Sequence, residues 1–385
     1  MIKSFWQKVA ANRKEWIFLL ITLLFCVVLW LLPPVKKLAS PGGYTLAAKV
    51  VDTDDSALMK HGLLWYGSQH LTVKILTGEF AGKVFPAVNE LRASPELDKL
   101  FSPGDRIRVI ISSGAEIIPG KTVLTAGNYD RSIWSFVLCG GYCLLLIIFG
   151  RWTGVKALFS FVFSCLVIFK LVIPFLLAGV PAGWTIFGSV LILTAVIILL
   201  VAGVTRKALA ALIGAGSGVF AGLLMAHLFG KLLNINGASM PFVQTLLYNG
   251  YENLDLADIF TGALILSCSG AVMDLAMDIA AAAEELVRFS SGLSAKEITA
   301  SGFRVGRSVV GTMTTTLLLA YSGGFLTLLM MFAVQGTYWV DVINHPLVAA
   351  ELVKTMIGSF SLVLVAPLTA VAGGVIFGSK KSAQP

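Results

Sequence analysis

The chain has 385 residues, 57% of them hydrophobic and only 13% charged, with a mean hydropathy of +0.85. A soluble domain carries about 25% charged residues, so this composition excludes an ordinary water-soluble protein and reads as an integral membrane protein. The net charge of +8 falls largely in short connections between apolar runs, which fits membrane topology rather than a nucleic-acid partner.

Lys3, Lys8, Arg13 and Lys14 precede the apolar run from Trp16 to Leu32, which ends at Pro33-Pro34. The run is longer than a signal-peptide core and no A-x-A site follows it. Residues 1–33 therefore read as an uncleaved anchor with its N-terminus in the cytoplasm.

Residues 34–131 form the one soluble-looking segment. Strand-like alternation marks Tyr44–Val51, Leu71–Leu76 and Arg106–Ile111, punctuated by Gly78, Gly82, Pro86, Pro103-Gly104 and Pro119-Gly120. Several short strands within about 100 residues predict a small extracytoplasmic β-rich domain, an OB-like barrel or a sandwich. No interleaved basic and aromatic surface for nucleic acid is evident, so partner docking or a structural role is the expectation. His61 and His70 stand isolated.

Residues 132–385 then carry apolar runs at about 132–150, 155–179, 184–204, 208–229, 257–287, 308–334 and 355–378. With the first anchor they predict about eight transmembrane helices. Under that count Arg151, Lys156, Arg206, Lys207, Arg288, Lys296, Arg304, Arg307, Lys380 and Lys381 all fall on one side, with Lys231 and Lys354 on the other. This obeys the positive-inside rule and puts both termini in the cytoplasm. All five cysteines lie inside apolar runs, so no disulfide framework is implied.

Within these runs, Lys170 sits in F-K-L-V-I-P and reads as a snorkelling side chain or a partner for a buried acid. Gly214, Gly216, Gly218 and Gly222 recur at spacings that let another helix approach closely, and Gly270 is expected to be a close-packing glycine as well. The run 257–287 is the most informative. At about 100° per residue, Ser267, Gly270, Asp274, Asp278, Ala281 and Glu285 share one stripe. An ionised Asp at mid-bilayer costs about 2.5–3.5 kcal/mol, so such acids face a bundle interior, an aqueous cavity or a cationic partner. Asp274, Asp278 and Glu285 are accordingly candidates for an ion or proton site. The competing reading is a solvated helix end, because the run is about 46 Å long at 1.5 Å per residue and overhangs a core of about 30 Å.

After this run, Ser294 and Glu297 make a capping-box pattern. The helix it starts delivers Arg304 and Arg307, expected charge partners for Asp278 or Glu285. Thr312, Thr314, Thr315 and Thr316 follow, hydroxyls that can also satisfy themselves on their own backbone. The connections near 230–256 and 335–354 carry aromatic anchors, and Asp341 with His345 is a lone pair that makes weak evidence for metal.

The runs G-A-V-M-D-L-A-M-D-I-A-A-A-A-E-E-L and G-R-S-V-V-G-T-M, with L-T-V-K-I-L-T-G-E-F-A-G-K-V and S-P-G-D-R-I-R-V upstream, resemble the YibE/F-like membrane proteins of bacteria. The resemblance covers most of the chain. It implies a multi-pass protein of the bacterial plasma membrane, without an established activity. It also implies a shorter sister protein of the same family as partner in a hetero-oligomer.

Three functions compete. The first is a permease or channel in which Asp274, Asp278 and Glu285 couple to cations or protons, with a bound cation in place of any cofactor. The second is an accessory protein that docks a partner through its extracytoplasmic domain, its acids paired with Arg304 or Arg307. The third is a metal-dependent membrane phosphotransferase, since Gly270-x-x-x-Asp274-x-x-x-Asp278 is similar to half of the CDP-alcohol phosphotransferase motif. The other half is absent, and no Walker A loop or nucleophile triad is present, so an enzyme is not expected. The sequence leaves any metal site unassigned.

Overall fold

The computed structural model describes residues 13–32, 43–95, 98–112, 118–290 and 292–378. Lys3, Lys8, Pro33-Pro34, Lys380 and Lys381, used above for topology, lie outside the described residues. The chain divides into two compact units, Met1–Val35 with Phe149–Pro385, and Lys36–Ile148.

The second unit is a small β-barrel. Its strands are β1 (Gly43–Asp54), β2 (Leu58–His61), β3 (Leu64–Ile75), β4 (Val84–Arg92), β5 (Arg106–Ser112) and β6 (Leu124–Tyr129). They hydrogen-bond in the order β1-β5-β6-β4-β3-β2, and β1 also pairs with β3, which closes the sheet on itself. Closure leaves no long unpaired edge. All pairings are antiparallel except β4 with β6. The alternation seen in sequence places Val50, Val73, Ile75, Ile107 and Val109 in the interior with Phe85 and Phe101. One polar knot is also enclosed. Gln69 Nε2 donates to Asp55 Oδ1 and to the Phe101 carbonyl, both at 2.8 Å, while Gln69 Oε1 accepts from Asn89 Nδ2 at 3.0 Å and from Phe101 N–H at 3.1 Å.

The helices are α1 (Arg13–Leu31), α2 (Ser132–Val167), a π-helical turn at Ile168–Val172, α3 (Ile173–Leu177), α4 (Ala182–Ala202), α5 (Arg206–Leu232), α6 (Val243–Tyr248), α7 (Leu256–Phe289), α8 (Ala295–Gly323), α9 (Leu326–Gln335), α10 (Trp339–Asn344) and α11 (Pro346–Gly378). Their ends follow local chemistry. Thr205 and Asp255 cap α5 and α7 by accepting from Ala208 N–H and Asp258 N–H, and Ser294 with Glu297 forms the expected capping box on α8. Pro346 opens α11, where its missing N–H has no helical acceptor to lose.

Among the described residues, five helical stretches are long and apolar enough to cross a membrane, and six if α8 and α9, bent by 68° at Gly324-Phe325, make one span. Eight were expected, and two stretches account for the difference among the described residues. Ser132–Leu177 runs as one stretch of 46 residues, yet Arg151 interrupts it with φ 47° and ψ −125°, a conformation hostile to a side chain. The first anchor, α1, enters this count only by its described apolar part, Phe18–Leu31.

The helical core is built by α5, α7, α8 and α11, with α4 beside α7. Leu264, Ile265, Val272, Leu275 and Ile279 of α7 are fully buried there. Small residues set the spacing: Gly214, Gly218 and Gly222 of α5 lie against Thr369, Val365 and Ser361 of α11. Each series advances four residues per step, one turn per step on both helices.

Candidate functional site

α7 is a two-faced helix. Its apolar and alanine positions, among them Val272, Ala276, Ile279, Ala280 and Ala283, are buried against α4, α5, α8 and α11. The opposite face carries Ala263, Ser267, Gly270, Asp274, Asp278 and Glu285, all exposed on the single chain. The acids therefore do not look into the chain's own bundle, as an interior site requires. The physical reason is that small and apolar residues allow the closest helix contacts, so they take the inner face and rotate the carboxylates outward. Gly270 shares that orientation. Among the described residues nothing lies within 4 Å of where its Cβ would be, so it is not a close-packing glycine like Gly214, Gly218 and Gly222.

The charge partners also differ from expectation. Among the described residues, no ion pair joins Arg304 or Arg307 to Asp278 or Glu285. Instead Lys207, in the first turn of α5, meets Glu284 at 3.0 Å. Arg304 and Arg307 lie on the exposed face of α8, together with Ser308, Thr312, Thr315 and Thr316. The three threonines donate to their own helix backbone at 2.9–3.1 Å. Lys170 lies in the π-helical turn, where its Nζ donates to the Leu32 carbonyl at 2.7 Å just beyond the end of α1. It satisfies a helix-end acceptor rather than an acid.

At the Ser267 end of the stripe lies a cavity of about 700 Å³, lined by α7, the end of α8, the bend at Gly324-Phe325, the start of α11 and residues 239–241. Ser267 and Ala263 belong both to this cavity and to the exposed stripe. Its polar groups form a chain. Tyr321 OH donates to Ser267 Oγ at 3.4 Å, Lys354 Nζ lies 5.1 Å from the centroid of the Tyr321 ring, and Lys354 Nζ meets Glu351 Oε1 at 3.4 Å. Glu351 Oε2 is buried and has no hydrogen-bond partner among the described residues. The sequence reading left Glu351 out altogether. Its signal was present in A-A-E-L-V-K, an acid and a lysine one turn apart at the head of an apolar helix. Among the described residues no group of three His, Cys, Asp or Glu side chains comes close enough to hold a metal, and the Asp341–His345 pair adds no third ligand.

Residues 138–379 match the family described as YibE/F-like protein. The chain belongs to the YibE/F-like family. The match contains the whole acidic helix and every residue lining the cavity, while the β-barrel strands precede it. No curated protein and no solved structure matches the chain. This YibE/F-like chain is a membrane protein by its family and its apolar helices.

Proposed function

We propose that this YibE/F-like protein is a permease in which the outward face of α7 carries protons or small cations across the bilayer. The observation behind this reading is that Ser267 belongs at once to the cavity and to the acidic stripe. From Ser267 to Glu285 the helix advances about 27 Å at 1.5 Å per residue, nearly the hydrocarbon thickness of about 30 Å. Polar groups at Ser267, Asp274, Asp278 and Glu285 thus line one edge of a path along that depth. Lipid is a poor cover for it, since each central carboxylate would cost about 2.5–3.5 kcal/mol there. A second membrane subunit, such as the shorter sister implied by the resemblance, supplies the other wall. In this reading the chain spans the bacterial plasma membrane eight times with both termini in the cytoplasm, and the barrel is extracytoplasmic.

The test is proton flux in vesicles reconstituted with the full chain together with that second subunit under an imposed potassium diffusion potential, followed with a lumenal pH dye. Wild-type vesicles acidify or alkalinise with the potential, and D274N/D278N vesicles do not. Equal flux from both proteins defeats the reading.

A second reading, docking of a partner by the barrel, draws support from one hairpin. Its strand order, with β4 parallel to β6 and β1 closing on β3, is that of an OB-like barrel, and β2 with the start of β3 extends beyond the closed part. That extension exposes Met59, Leu63 and Tyr66, with Leu63 at 95%. Apolar side chains displayed on a hairpin suit a protein surface. Pull-down of one defined protein by wild type, and its loss in M59S/L63S, supports docking.

A further inference from the structure

The cavity beside Ser267 already contains one ammonium group, that of Lys354, held between an aromatic face and a carboxylate. An aromatic ring and a carboxylate together are what recognise an organic ammonium ion. The carboxylate is only half used. Glu351 Oε1 takes the lysine at a long 3.4 Å, and Oε2 is buried without a partner among the described residues. A buried acceptor left unmade calls for a donor. The rest of the lining is largely apolar, with Phe260, Leu264, Phe325 and Leu347 around the polar chain, and its size falls in the range of small-molecule sites.

From this geometry we propose that the cavity binds a primary alkylammonium compound with an apolar body. Its ammonium donates to Glu351 Oε2 while its apolar part lies against Phe260 and Phe325. Lys354 is a tethered competitor for the same carboxylate: its ammonium on Oε1 repels a second cation arriving at Oε2, and its flexible stem lets it swing aside. The inference deepens the permease reading by naming a substrate class, and rests on that reading only for the statement that the bound cation is carried.

Binding is measured by calorimetry on the purified full chain in phosphatidylcholine nanodiscs, with no ion gradient. The probes are 2-phenylethylammonium, its neutral analogue 2-phenylethanol and the anion 3-phenylpropionate. The ammonium binds at least about tenfold more tightly than the alcohol or the anion, the scale of a charge-assisted hydrogen bond. E351Q weakens ammonium binding about tenfold or more, and K354M strengthens it because the competitor is gone. K354M decides the matter if E351Q does not fold. Two sources of the ammonium are told apart by adding phosphatidylethanolamine to the nanodisc. A fall in apparent affinity assigns the site to a lipid headgroup, and an unchanged affinity assigns it to a free amine. Equal binding of amine and alcohol, or K354M binding the amine no better than wild type, overturns the proposal. Binding that survives while D274N/D278N leaves proton flux intact removes the permease reading and keeps this site.

Discussion

Gly218 of α5 faces Val365 of α11 so closely that a Cβ on the glycine would come within 2.8 Å of the valine Cβ and 3.2 Å of Val272 Cγ1. Three helices meet at this one residue, and none of the neighbouring atoms is the loose end of a long side chain. G218A is therefore expected to destabilise the bundle by about 1–3 kcal/mol, the usual cost of overfilling a packed interior. Thermal unfolding of the purified protein in detergent measures it. G270A is the control on the exposed face, where the added methyl group meets open space. Its melting temperature stays equal to wild type or rises slightly, as helix propensity favours alanine.

The Lys207–Glu284 contact joins α5 to α7 at 3.0 Å, with side chains 23% and 39% exposed. Partial exposure limits its worth to about 0.2–1 kcal/mol. A double-mutant cycle of K207A and E284A, read by denaturation, gives a coupling in that range. The same cycle on R307A and D278A gives none, because no ion pair joins these two. A coupling of 2 kcal/mol or more between Arg307 and Asp278, well above the ~1 kcal/mol upper range of an exposed pair, would place them in direct contact, against the structure.

Within the barrel, Gln69 is fully buried and holds Asp55, Asn89 and both backbone groups of Phe101. Q69L keeps the approximate volume but strands the Phe101 N–H without its acceptor and removes one of the two acceptors of Asn89 Nδ2, which keeps the Lys99 carbonyl at 2.6 Å. A stranded group costs about 1–3 kcal/mol. The barrel of Q69L is expected to become protease-sensitive at temperatures where the wild-type barrel resists, with cleavage mapped by mass spectrometry. Resistance equal to wild type would mean that the knot is dispensable.

Asp130 accepts from Ser132 Oγ at 2.7 Å and from its N–H at 3.3 Å. The Ser132 hydroxyl is the main cause that holds this carboxyl below the ordinary Asp range. A depressed folded value means that the contribution is present above the unfolded value of about 3.9 and is lost as pH falls through the folded value. The stability difference between wild type and D130N therefore shrinks steadily on acidification below about pH 4. A difference that stays constant down to pH 2 would show that Asp130 gains nothing from Ser132.

Much of the architecture was legible along the chain. Tyr44–Val51 and Arg106–Ile111 lie inside β1 and β5, Leu71–Leu76 overruns the end of β3 by one residue, and the Ser294–Glu297 cap starts α8. These signals are local: alternation fixes a strand, and a side chain three residues from its backbone donor fixes a helix start. β4 was harder to read because Pro86 interrupts it; the barrel tolerates that residue near the strand's beginning, opposite Thr72.

The sequence by itself determined that Ser267, Asp274, Asp278 and Glu285 share a face, because helical periodicity needs nothing beyond the order of residues. Only the tertiary structure decided which way that face points, since orientation depends on how closely Gly218, Gly306 and Ala366 let neighbouring helices approach. The cavity is likewise a product of the fold. Ser267, Tyr321 and Glu351 lie far apart along the chain, and only the packing of α7, α8 and α11 brings a hydroxyl, an aromatic ring and a carboxylate to one place.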